Sequence, residues 1–341
     1  MKYHINPEIG TPTECEAKGA NGGGRDCKFV HGDSPTQAVQ NFEKILKDVT
    51  IVSLKKAREM TDGKIPDSLT GDELRKMATS SILETPLKNL NTSHLIQDIN
   101  ARVAALGMDV EKVSSAISLA SILHATQTRQ VRGKFKIVPY IEHPLRNTSR
   151  LLRAGISDQD VIIGSLLHDT VEDGSLAFMS VIYSHKTSDI PEAREALSKY
   201  IEKAYGEEVR DIVSRVTNTY LTRKEMAAKS AEQKRDDYRL HVEEGIRGHK
   251  GAYLVKISDY LDNAGSLQHQ IKDVSEEQVA KFKRIAAKYK PMIKVFQDEM
   301  NQGFDIDEGA VKSDIGDKTI TEYLSQRLLQ IDKSLDEILA Q

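Results

Sequence analysis

Four groups that can bind a metal or move protons follow the apolar run 162–167: His168, Asp169, Glu172 and Asp173. His168 and Glu172 stand four apart, as do Asp169 and Asp173, so each pair shares a face if the helix continues. A neutral imidazole beside a carboxylate suits a divalent transition metal such as Mn, Fe or Zn. The plainer reading is a charged helix end on the surface. A His-Asp doublet after so apolar a run is less ordinary than that.

Two further stretches carry groups of the same kind. His143 lies between Pro139 and Pro144, where the chain is extended and a new helix begins. Taken singly, a histidine there is more often a cap or a surface residue. In the run 252–267, Leu254, Ile257 and Leu261 form an apolar stripe, while Asp259 and Asn263 share another face. An aspartate in a mostly apolar helix costs free energy unless it is paired or bound to a cation. Exposure, or a bridge to a lysine, is the alternative for Asp259. Together, His143, His168, Asp169 and Asp259 offer two imidazoles and two carboxylates, enough to hold one divalent metal and leave room for water and substrate. Such a metal acidifies its water and neutralises a phosphate oxygen. Glu172 and Asp173 stand one turn beyond, where they can orient or deprotonate that water. The set suits phosphoester or pyrophosphate hydrolysis.

The elements that must position these groups are helices. Helix formers dominate the composition, and there is no Trp and little Pro. Apolar spacing predicts helices over 36–60 and 72–81, then over 94–106 with Ser93 as the cap. Further helices are expected over 110–129, 145–154 and, from a Ser157 cap, into His168. The pattern continues with 176–184, 191–205, 207–217, a charge-rich helix over 223–244, 252–267, 278–299 and 319–339. A charge-rich helix is by default a solvated face, although some cations of 223–244 could point inward at an anionic ligand. The segment Asp305–Gly309 lacks the ligand pattern of a calcium loop and reads as an acidic connection. Residues 1–35 read as an irregular arm rich in Gly and Pro. His4, Cys15, Cys27 and His31 match no compact zinc spacing, so two free thiols are the preferred reading there. The expected organisation is an arm at 1–35, a helical accessory region and linker at 36–92, the catalytic domain at 93–300, and a loop with a C-terminal helix at 301–341.

Composition bounds the function. The net charge of −3 over 341 residues gives no positive field for nucleic acid. No apolar run is long enough to span a bilayer, and the N-terminus lacks the pattern of a signal peptide. A cytoplasmic protein without nucleic-acid or membrane partners is therefore expected.

The order His … His-Asp … Asp on consecutive helices resembles the HD-domain phosphohydrolases. The strings His124-x-x-Gln127-x-Arg129, Pro139-Tyr140-Ile141-x-His143-Pro144, Leu166-Leu167-His168-Asp169-Thr170-Val171-Glu172-Asp173 and Val255-Lys256-Ile257-Ser258-Asp259-x-Leu261-x-Asn263 are together similar to the hydrolase domain of the RelA/SpoT family. Lys283-Arg284-Ile285-Ala286 with Tyr289-x-Pro291 falls where that family carries a similar helix. The resemblance covers about residues 93–295. It implies an all-α HD-domain bundle, here with a partly irregular N-terminal extension and an extra C-terminal helix. It also implies removal of the 3′-pyrophosphate from (p)ppGpp, giving GDP or GTP and pyrophosphate, usually with Mn²⁺. By position, His143, His168, Asp169 and Asp259 would bind the metal, and Glu172 and Asp173 would place and activate the water. Arg129 would contact the base, and Asn263 the sugar or phosphate.

Three departures bear on selectivity. Gln130 stands where the family usually has Lys. The segment from Arg129 to His143 is longer. The motif Asp-Arg-Leu-His-Asn reads Asp259-Tyr260-Leu261-Asp262-Asn263. Residues 301–341 are too few for a second catalytic domain, so a hydrolase-only chain is expected, with a protein partner of the N-terminal region left open. Two rivals stay in view: hydrolysis of another nucleotide (pppApp, a deoxynucleotide or the NADPH phosphate), and a non-catalytic nucleotide-binding regulator. Product analysis on a nucleotide panel separates them.

Overall fold

In a computed structural model of the chain, the described residues are 82–130, 137–271, 274–311 and 313–341, with three short strands upstream. The chain divides into two compact units, Met1–Met77 and Ala78–Gln341. In the first, β1 (Tyr3–Ile5) pairs antiparallel with β2 (Pro12–Glu14) and β3 (His31–Gly32). The arm read as irregular thus carries a small sheet. The expected helices over 36–60 and 72–81 lie outside the described residues, as do the side chains of His4, Cys15, Cys27 and His31.

The second unit is an all-α bundle. Its elements are α1 (Thr92–Ala105), α2 (Val110–Leu123), α3 (Glu142–Arg153), α4 (Gln159–Leu167), α5 (Thr170–Asp173), α6 (Ser175–Val181) and α7 (Ile190–Tyr205). Then follow α8 (Glu207–Val216), α9 (Arg223–Ala228), α10 (Ala231–Ile246), α11 (Lys250–Gln270), α12 (Glu276–Tyr289), α13 (Met292–Gln302) and α14 (Ile320–Ala340). A two-stranded hairpin, β4 (Thr128–Gln130) with β5 (Ile137–Pro139), interrupts the helices. The expected C-terminal helix is α14, which packs on α11 and α12.

Four boundaries differ from the sequence reading, each for a local reason. The helix expected to reach Arg129 stops at Leu123, because Thr128–Gln130 pairs with β5 instead. The helix expected from Leu145 starts at Glu142, so His143 and Pro144 occupy its first turn, where a missing proline N–H costs nothing. The charge-rich stretch 223–244 divides at Ser230, whose side chain accepts from the Gln233 N–H in a new capping box. The stretch 278–299 divides at Pro291, which cannot continue the ladder of α12. Two caps shift as well. Asn91 rather than Ser93 opens α1, and Asp158 rather than Ser157 opens α4. The acidic connection also serves the fold. Its Asp307 carboxylate accepts from the Ile320 and Thr321 N–H groups and so caps α14.

The helices α3 and α4 are buried on every side, as is α11 from Gly251 to Asp262. Each residue from Val161 to Leu167 in α4 is buried, as expected for an apolar helix at the centre of a bundle. The helix α3 is buried from Glu142 to Leu152 although its sequence is polar. Periodicity cannot foresee that burial; it rests on side-chain pairing. Asp98, fully buried in α1, accepts from Arg102 and Arg153 at 3.1 and 2.8 Å, and also from Ser149. A close approach of α4, α8 and α11 brings their residues together. Ile212 of α8 fits between Gly164 and Gly251, where an added Cβ would come within 2.7 and 2.8 Å of its side chain. Substituting either glycine would push α8 away from the centre.

Candidate active site

The buried face of α3, the end of α4 and the middle of α11 bring all four expected ligands together. The Nε2 of His143 lies 3.0 Å from Asp259 Oδ1 and 3.6 Å from Asp169 Oδ2. The Nε2 of His168 lies 3.2 Å from Asp169 Oδ2 and 3.8 Å from Asp259 Oδ1. His143, His168 and Asp169 form a group able to hold a metal ion, with one ligand atom from each within 4.8 Å of the others. The helix does not run through this motif as the spacing suggested. It ends at Leu167, and Asp169 begins the short helix α5, so the doublet sits at a break.

The fixed tautomer of His168 fits a cation. Its Nδ1 faces the Ser165 carbonyl at 2.8 Å, and only a protonated Nδ1 can donate there. The Nε2 is buried and makes no hydrogen bond among the described residues. An orphaned ring nitrogen beside two carboxylates is a metal-ligand environment. Burial disfavours a charge on His168, but the Asp169 carboxylate overrides it and raises the imidazole to about 10. Asp169 itself is held low, because the His168 charge outweighs the effect of burial. Asp259 is also held well below the usual range; Lys256, 3.1 Å away, outweighs burial there. The lysine bridge considered for Asp259 is thus real, and it coexists with the cluster. The Tyr140 hydroxyl donates to Asp169 Oδ2 at 2.6 Å and fixes that carboxylate.

The two acids beyond the doublet diverge. Glu172 is locked by Asn218, whose backbone N–H donates at 3.0 Å and whose amide donates at 2.8 Å. Asp173 accepts no side-chain hydrogen bond among the described residues. Burial and the nearby Asp169 push its carboxyl up to about 6. The Gln127 amide donates to the Asp173 carbonyl at 2.9 Å and ties the end of α2 to this turn.

Arg129 and Asn263 are also brought to the cluster. The Arg129 guanidinium donates to Asn263 Oδ1, and the Asn263 amide donates to Asp259 Oδ1 at 2.5 Å. Asp262, one residue earlier, is fully buried beside them.

Next to Glu172 opens a cavity of about 650 Å³ lined by Arg194, Lys229, Lys234, Arg235, His241 and Lys288. Of the cations of 223–244, Lys229, Lys234 and Arg235 line this cavity, and Asp237, which also lines it, pairs with Lys229 at 2.6 Å. Tyr238 forms part of the wall, with Lys288 3.6 Å and Lys256 5.9 Å from its ring centroid. Burial and Lys256 lower the Lys288 ammonium. Sequence reading assigned no role to Asn218, Tyr140, Lys256 or Lys288. Lys256 was signalled by its place one turn before Asp259. The others become neighbours only through the fold.

No family model matches the chain. Three relatives named guanosine-3′,5′-bis(diphosphate) 3′-pyrophosphohydrolase are similar to it. The MESH1 protein of Xenopus tropicalis is 30% identical over 165 residues, covering 48% of this chain and 73% of its own length. That of Drosophila melanogaster is 30% identical over 159 residues, covering 46% and 70%. The Aquifex aeolicus enzyme is 27% identical over 184 residues, covering 53% of this chain but 21% of its own. Among the described residues, no helix is long and apolar enough to cross a membrane.

Proposed function

The chain belongs to the guanosine-3′,5′-bis(diphosphate) 3′-pyrophosphohydrolase family of HD-type hydrolases, and we propose that it removes the 3′-pyrophosphate of (p)ppGpp in a metal-dependent reaction. The observation that carries this reading is the convergence of His143, His168, Asp169 and Asp259, with Glu172, one turn beyond Asp169, lining a cavity rich in cationic side chains. His143 and His168 through Nε2, with Asp169 and Asp259, would hold the ion, with Mn²⁺ the expected species. When bound, a divalent ion supplies positive charge against the phosphate and acidifies water.

The chain's own residues do the rest. The Asp173 carboxylate, which accepts no hydrogen bond among the described residues and is pushed up to about 6, takes a proton from the attacking water. Glu172, fixed by Asn218, holds that water in line. The water oxygen bonds to the phosphorus attached to the ribose 3′-oxygen, and the bond to that oxygen breaks. The 3′-oxygen gains a proton, and pyrophosphate leaves. Arg194, Lys229, Lys234, Arg235 and Lys288 receive phosphate charge that water would otherwise solvate. Arg129 contacts the base and Asn263 the sugar or phosphate.

The test is product analysis on ppGpp, pppApp, deoxynucleoside triphosphates and NADPH with Mn²⁺. In ¹⁸O-water the label should enter pyrophosphate, with GDP unlabelled. Cleavage of the NADPH 2′-phosphate with ppGpp untouched would move the chain to another substrate.

A further inference from the structure

We infer that Asp262 is a positioning residue that sets the tautomer of His143 and couples it to Arg129. The inference rests on the reading of His143 as a metal ligand. Asp262 stands where the resembling motif carries a histidine. It is fully buried, and its two oxygens meet different partners. Oδ1 accepts from Arg150 Nη2 at 3.0 Å and Arg146 Nε at 3.4 Å. Oδ2 lies 2.9 Å from His143 Nδ1 and 3.7 Å from the Arg129 guanidinium.

The chemistry assigns the protons. With two guanidiniums on Oδ1, Asp262 is a carboxylate and can only accept. The hydrogen between Oδ2 and His143 therefore sits on Nδ1. That leaves Nε2, which lies 3.0 Å from Asp259 Oδ1, 3.6 Å from Asp169 Oδ2 and 3.3 Å from the Asn147 amide, as the nitrogen that would meet a metal.

The clamp is itself held firmly. Arg150 also donates to the Ser258 carbonyl at 2.9 Å and to Asn147 Oδ1 at 3.0 Å. Arg146 donates to Glu142 Oε2 at 3.0 Å, and Glu142 accepts from the Thr92 hydroxyl at 3.1 Å. His143, Arg146 and Arg150 occupy one face of α3, with spacings of three and four. This helix is buried although polar because it presents that network to α11. The same carboxylate sits beside Arg129, so the ion site and the expected base contact share one anchor.

The experiment is Mn²⁺ affinity, read by electron paramagnetic resonance of free Mn²⁺, for wild type and Asp262→Asn. In the variant, Arg146 and Arg150 hold the amide oxygen, so the amide NH₂ faces Nδ1 and favours the tautomer that cannot bind through Nε2. The expected loss in affinity is about 10–100-fold. Asp262→Leu/Arg150→Met is the second variant; it removes a facing cation with the carboxylate and should fold if the first does not. Unchanged affinity in either folded variant, even with a lowered Tm, would overturn the inference. Neither variant is needed for a third reading: ring ¹⁵N shifts of Zn²⁺-loaded wild type should show His143 protonated at Nδ1. Coordination through Nδ1 would overturn it. Wild type that binds no Mn²⁺ would remove the metal reading as well, whereas tight wild-type binding with an unaffected variant removes this inference alone.

Discussion

The wall of the site built by α3 and α11 is dry and pinned, whereas the wall built by residues 218–241 is open and cationic. On the first, His143, Asp259 and Asp262 are 1%, 5% and 0% exposed, and each has hydrogen-bond partners. On the second, Lys229 and Arg235 are half-exposed and Lys234 is exposed. The difference matches two roles. An ion needs donors fixed to fractions of an ångström, and the ordering of those side chains is done during folding. A flexible polyphosphate is better met by long cationic side chains that adapt. Substitution of the cluster residues His143, His168, Asp169 or Asp259 should therefore abolish turnover, and substitutions on the wet wall should weaken binding by degrees.

The largest effect is expected at the cluster itself. His168→Ala and Asp169→Ala should reduce pyrophosphate release to background, and EDTA should do the same to wild type until Mn²⁺ is returned. Steady-state assays with retained helicity check this. The next is Asp173→Asn, expected to lower kcat roughly 10²–10³-fold with Mn²⁺ affinity within a few-fold of wild type. Wild-type activity should rise with pH as Asp173 loses its proton. The midpoint lies near or below about 6, because a cation beside Asp169 stabilises the ionised form. A rate independent of pH from 5 to 7 would speak against Asp173 as the base. A smaller effect follows at the cationic wall: Lys288→Ala should raise KM about 10-fold, with little change in kcat and a weaker dependence on salt. If it instead lowers kcat as much as Asp173→Asn, the contrast between the walls fails. The smallest is at the exposed Tyr183, whose ring meets Phe178 edge-on at 5.2 Å: Tyr183→Ser should leave kcat/KM unchanged and lower stability by about 1 kcal/mol.

Much of the metal cluster was legible in the sequence, because motif spacing carries it. His168-Asp169 and Asp259 announce themselves as polar groups in apolar helices. The fold brings them to His143 from three separate elements. The end of α2 was not legible: residues 124–129 hold no Gly or Pro to stop a helix, while the hairpin partner 137–139 decides otherwise from a distance. Burial of α3 was hidden too, since Glu142, Arg146 and Arg150 read as surface until Asp262 and Thr92 are placed against them. The cationic wall was the least legible part. Mixed charges on 223–244 read the same whether they face solvent or a cavity, and Lys288 arrives from a helix about fifty residues further on.

The most direct test of the central claim is pyrophosphate release from ppGpp by the metal-stripped protein as Mn²⁺ is added back, beside Asp169→Ala under identical conditions. Release that tracks Mn²⁺ occupancy in wild type and stays absent in the variant is the predicted result. Equal release by the two proteins, or release unaffected by stripping the metal, would contradict it.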